Sequence, residues 1–78
     1  MNMMKLSEIY LEHTNIAEGD IIHTVRSRGE WFWYVQPSGI EQDAALIMAC
    51  RYDRLNGPFT TEEEVNAAVS GLNGHQQG

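Results

Sequence analysis

The hydrophobic pattern of this chain centres on Trp31-Phe32-Trp33-Tyr34-Val35, an unbroken apolar run of five residues, four of them aromatic. Aromatic and β-branched side chains suit the pleated, half-buried surface of a strand. Side chains alternate across a strand, so Trp31, Trp33 and Val35 share one face while Phe32, Tyr34 and Gln36 share the other. A hairpin in a small domain normally has one buried and one wet face, written as alternating apolar and polar residues. Here that alternation fails. A buried aromatic carries about 150–250 Å² of surface, which leaves two solutions. Helices cover both faces, or one face meets another molecule.

The residues before the run supply its partner. Ile21-Ile22-His23-Thr24-Val25-Arg26 reads as a strand, and Ser27-Arg28-Gly29 as the turn, with Gly29 free to take a positive φ. The second strand runs from Glu30 to about Gln36 and ends at Pro37-Ser38-Gly39, because proline donates nothing to a ladder and turns readily. Upstream, Leu6, Ile9, Tyr10 and His13 recur at helical spacing with Met3 extending the stripe, which predicts a short helix over 3–13. Thr14 to Asp20 is a connector with one apolar anchor, Ile16.

Beyond the hairpin, helix formers are dense from Ile40 to Leu55. Ser38 and Glu41 stand at capping-box spacing. Ala44, Met48, Tyr52 and Leu55 form the apolar stripe, and Ile40, Ile47 and Cys50 widen it. Asn56-Gly57-Pro58 reads as the stop. A competing reading makes Ala45–Tyr52 a third strand. A last helix follows, capped by Thr60 or Thr61 with Glu63 or Glu64 and stapled by Phe59. Its stripe is Val65, Ala68, Val69 and Leu72, and Gly71 or Gly74 ends it. The expected architecture is α+β: an N-terminal helix, a β-hairpin, then two helices packed on the hairpin. The alternative is a three-stranded antiparallel sheet with two helices. Residues 1–78 form one domain, with 75–78 a flexible tail.

Length and charge narrow the functions. A chain of 78 residues has a core worth only ~3–5 kcal/mol of net stability, so dimerisation would be a natural supplement. Hydrophobic residues make up 42% of it, too many for a disordered chain. Cys50 is the only cysteine, which excludes a disulfide framework and fits a reducing compartment. Eleven acidic against five basic residues give a net charge of −6. That argues against nucleic-acid binding, which runs on basic patches. Neither a membrane-spanning run nor a signal-peptide core stands out, and a soluble cytoplasmic protein is expected.

Catalytic and metal-binding signatures are weak. His13, His23 and His75 fall on separate segments, whereas zinc needs three or four ligands at compact spacing. Cys50 lies in an apolar segment and reads as a small core hydrophobe. Nothing places a raised-pKa acid beside an ionised partner, and no glycine-rich phosphate loop is present. The expectation is a non-enzyme without cofactor or metal.

Two surface features remain. The outward face of the hairpin, carrying either Trp31 and Trp33 or Phe32 and Tyr34, with Arg26 and Arg28 at its rim, is the expected partner surface, since interfaces enrich tryptophan, tyrosine and arginine. Arginine beside exposed aromatics can also grip single-stranded nucleic acid. The second feature is the acidic set Glu8, Glu12, Glu62, Glu63 and Glu64. It reads first as helix caps and solvated faces, and alternatively as an anti-CRISPR-like mimic of nucleic-acid phosphates that blocks a basic groove. In size, acidity and lack of catalytic residues the chain resembles the small accessory proteins with which phages and mobile elements inhibit host machinery. The resemblance implies a protein-binding inhibitor or regulator whose partner is another protein. A homodimer that consumes the aromatic face itself is the alternative.

Overall fold

The computed structural model describes Tyr10 and residues 16–77, with side chains as far as Leu72. Apart from Tyr10, the helix expected over 3–13 lies outside the described residues. The described chain runs β1 (Ile21–Ser27), β2 (Glu30–Gln36), α1 (Gln42–Arg51), β3 (Asn56–Phe59) and α2 (Glu62–Gln77). The strands form one antiparallel sheet in the order β1-β2-β3, an α+β arrangement.

The hairpin forms where the sequence indicates, but Ser27, expected in the turn, belongs to the strand. Ser27 stands opposite Glu30, so the turn holds two residues, Arg28 and Gly29, at φ 54° and 82°. Positive φ at both positions is the type I′ geometry, whose twist matches that of the flanking strands. From there the register is regular: Arg26 opposes Trp31, Thr24 opposes Trp33, and Ile22 opposes Val35.

The segment after β2 departs from expectation at both ends of its helix. Ile40 donates its N–H to Pro37 O at 3.1 Å, and Gly39 sits at φ 90°, which makes 37–40 a tight turn rather than helix. Ser38 does not cap. Its own N–H goes to Asp20 Oδ1, and Glu41 takes the N-cap position in extended backbone without a side-chain bond. The same Asp20 carboxylate accepts from Ala17 N–H, so it ties the connector to this turn. At the other end Asp53 adopts φ 57°, and Arg54 N–H returns to Ala49 O at 2.7 Å. This six-to-one closure with a left-handed residue is a Schellman ending, so the helix stops at Arg51 and not at Leu55.

Ala45 and Ala49, four residues apart and wholly buried, define the inner line of α1. With Tyr10, Tyr34 and Ile40 they form the core, and Val25, Ala44, Leu46, Met48 and Leu55 pack around it. The two alanines let the helix approach β2 closely. Ile47 and Cys50, expected to widen the apolar stripe, lie on the opposite side of the helix and face outward, Ile47 with 58% of its surface exposed. Cys50 is therefore not a core residue.

The third strand comes from the residues read as a stop, Asn56-Gly57-Pro58-Phe59, and not from Ala45–Tyr52. Proline is tolerated because β3 lies at the sheet edge; the Gly57–Pro58 peptide bond is cis. Asn56 Nδ2 donates to Trp33 O at 3.2 Å and helps pin the strand. Gly57 allows the approach: a Cβ there would lie 2.8 Å from Trp31 O and 2.9 Å from the Phe32 ring.

α2 begins as its sequence indicates. Thr61 Oγ1 accepts from Glu64 N–H, and the Glu64 carboxylate accepts from Thr60 N–H, one residue before the position a strict capping box would use. Val65 is fully buried but stands outside the Tyr34 cluster, so it marks a second packing centre. Ala68, Val69 and Leu72 continue that line half-buried, and the helix touches all three strands. It passes through Gly71 and Gly74, expected as its end, and reaches Gln77. Glycine weakens a helix by about 1 kcal/mol without terminating it.

Candidate interaction surface

Directly opposed residues of an antiparallel pair share a face. The register therefore groups Trp31, Trp33 and Val35 of β2 with Arg26, Thr24 and Ile22 of β1 on one side of the hairpin. β3 adds Phe59 opposite Trp31 and Asn56 opposite Trp33. The other side carries Phe32, Tyr34 and Gln36 against Val25, His23 and Ile21.

The two sides differ in burial. Tyr34 is 2% exposed and belongs to the core under α1. On the tryptophan side nothing reaches that state, although β2 is the central strand. Trp31, Trp33, Val35, Ile22 and Phe59 are all half-buried, and Arg26, Thr24 and Asn56 are exposed. The result is a half-buried aromatic cluster with an exposed arginine directly across from Trp31. A guanidinium beside an indole can attract its π face and offers a fork of donors to a carboxylate.

Of the residues expected to form the contact surface, the fold brings Trp31, Trp33 and Arg26 together and places Arg28 at the turn next to them. Phe32 and Tyr34 are turned to the opposite side. Phe32 closes over Gly57, and Tyr34 is structural. Sequence reading did not include Ile22, Thr24, Val35, Asn56 or Phe59 in the patch. Ile22 and Thr24 were not legible to it, because the expected three-residue turn Ser27-Arg28-Gly29 shifts what opposes Trp33 and Val35 by one position, whereas Val35 was legible from strand alternation. β3 was not, because its sequence reads as a terminator.

On the core side a polar chain runs along the end of the hairpin. Gln36 Nε2 donates to Ile40 O at 2.8 Å, which turns its Oε1 toward His23 Nε2, also at 2.8 Å. A carbonyl can only accept, so this orientation requires His23 to carry its proton on Nε2. His23 also lies 5.3 Å from the Tyr34 ring, and Gln42 Nε2 donates to the Tyr34 hydroxyl at 3.5 Å. These bonds satisfy half-buried polar groups and lock the turn that launches α1. They do not assemble a catalytic pair.

The acidic set divides. Glu62, Glu63 and Glu64 are exposed in the first turn of α2, where carboxylates complement the helix dipole, and Glu64 is engaged in the cap. Glu8 and Glu12 lie outside the described residues. Among the described residues, no group of three or more His, Cys, Asp and Glu side chains converges as a metal would require. No helix among them is long and apolar enough to cross a membrane. Burial raises the Tyr10 phenol above its ordinary pKa against a partial opposing pull from Arg54, a property of the core and not of the patch. No protein-family model, curated protein or solved structure matches this chain.

Proposed function

We propose that this chain is a small, acidic, non-enzymatic protein-binding module that acts as an inhibitor or regulator of a larger protein through the tryptophan side of its hairpin. The observation that carries this reading is the asymmetry of the central strand: Tyr34 is buried at 2% while Trp31, Trp33 and Val35 on the reverse side are only half-buried. Large rings left partly in water on a rigid sheet are what interface anchors consist of. Arg26 and Arg28 beside them specify the partner's chemistry, an apolar pocket with carboxylates at its edge. The resemblance to phage and mobile-element accessory proteins fits this role.

The test is Trp33→Ala, compared with wild type in affinity capture from host lysate. The reading expects a variant with unchanged circular dichroism that no longer retains the wild-type partner. A folded variant that captures the same partner would refute it, and so would collapse of the fold, since Trp33 would then be core. The same capture repeated across salt concentrations separates two alternatives from this reading. Glutamate mimicry through Glu62, Glu63 and Glu64, and single-strand gripping by Arg26 and Trp31, would both weaken steeply with salt.

A further inference from the structure

The two edges of the sheet are built differently. β3 is blunted: it is four residues long, irregular in register, and contains Pro58. β1 runs seven residues in regular register with β2 and contains neither proline nor lysine. An edge of that kind is a template for another strand.

The hairpin geometry shows which backbone groups that edge offers. A two-residue turn makes its flanking residues, Ser27 and Glu30, a hydrogen-bonded pair, and bonded and non-bonded pairs alternate from there. Val25, His23 and Ile21 thus bond to β2. Ile22, Thr24 and Arg26 direct their N–H and C=O groups away from it. These outward residues are symmetric about Thr24, which is exposed, as is Arg26.

We propose that β1 pairs with β1 of a second copy of this chain, antiparallel, with Thr24 against Thr24 on the two-fold axis. In this register Ile22 of each copy opposes Arg26 of the other, and every outward-facing group on both edges finds a partner. Sliding the strands by two residues leaves part of each edge unpaired. Charge supports the same register. Just beyond the strand ends, Arg28 of each copy lies toward Asp20 of the other, so both ends of the joint bring unlike charges together. The product is a continuous six-stranded sheet. Because the axis is perpendicular to it, the Trp31–Trp33 patches of both copies lie on the same side, doubling the surface available to a partner. The pairing uses backbone groups and does not depend on what the patch binds.

Single cysteines test the register in a Cys50→Ser background. Directly opposed Cα atoms about 5.5 Å apart in a bonded pair fall within disulfide reach, so Thr24→Cys should give a covalent dimer on oxidation. Ile22→Cys should not, because the two cysteines would stand about 13 Å apart along the strands. Light scattering over a dilution series should give twice the chain mass for wild type. It should give a single-chain mass for Thr24→Lys, which sets like charges against each other at an exposed site while circular dichroism stays unchanged. Equal cross-linking at both positions overturns the register, and a persistent Thr24→Lys dimer overturns the interface. A single-chain mass for wild type at every dilution overturns self-pairing and leaves the edge to a strand from another protein.

Discussion

Gly57→Ala should be among the most damaging single-methyl changes in this protein. The added Cβ would lie 2.8 Å from Trp31 O, 2.9 Å from Phe32 Cδ2 and 3.3 Å from Phe59 Cδ2. The first of these is a backbone atom of the central strand, which cannot rotate aside as a side chain could. Overpacking of this kind costs about 1–3 kcal/mol. The φ of 150° is also one that an L side chain rarely adopts, adding about 1–2 kcal/mol. The combined loss, roughly 2–5 kcal/mol, compares with ~3–5 kcal/mol of stability for a domain of this size. At about 4–8 °C per kcal/mol, the melting temperature should fall by ~10 °C or more. Urea and thermal unfolding followed by tryptophan fluorescence reads this well, because Trp31 and Trp33 flank the site of the clash. Gly29→Ala is the control. It shares a positive φ of 82° but has no atom within 4 Å of the added Cβ, so it isolates the backbone cost. If Gly57→Ala is no worse than Gly29→Ala, the close approach of β3 to β2 is wrong.

The remaining expectations concern the cap and the core. Thr61→Ala removes the acceptor that Glu64 N–H uses and should cost about 1 kcal/mol, seen as a lower urea midpoint. Thr60→Ala, whose part in the cap is its backbone N–H, should stay near wild type. Stability should also fall in alkali. Burial raises the Tyr10 phenol above its ordinary value, so above about pH 10 the unfolded chain loses that proton before the folded one does. The folded state then binds more protons, and unfolding free energy decreases as pH rises. This contribution is fully present below the ordinary phenol range and is lost as pH climbs through the raised value. Urea midpoints measured from pH 8 to 11 should show the decline, and Tyr10→Phe should flatten it; an unchanged slope in Tyr10→Phe would assign the decline to other groups.

The sequence by itself determined the hairpin and the two helical segments that follow it. β-branched and aromatic residues on either side of Ser27-Arg28-Gly29 permit little else, while the register followed from a turn one residue shorter than that tripeptide. The Thr61–Glu64 cap was equally legible, because both partners sit within one helical turn. These are local interactions, and local interactions are written in adjacent residues. Tertiary structure decided the rest. Asn56-Gly57-Pro58 carries every mark of a terminator, yet it became a strand because β2 offered a free edge and Gly57 could approach Trp31 more closely than any other residue. Tyr34 and Trp33 are adjacent and similar in chemistry, yet one is core and the other only half-buried. Strand alternation placed them on opposite sides, but only the docking of α1 through Ala45 and Ala49 chose the side to bury. The same docking turned Ile47 and Cys50 outward, since a helix that presents its smallest residues to a sheet must carry its larger ones elsewhere.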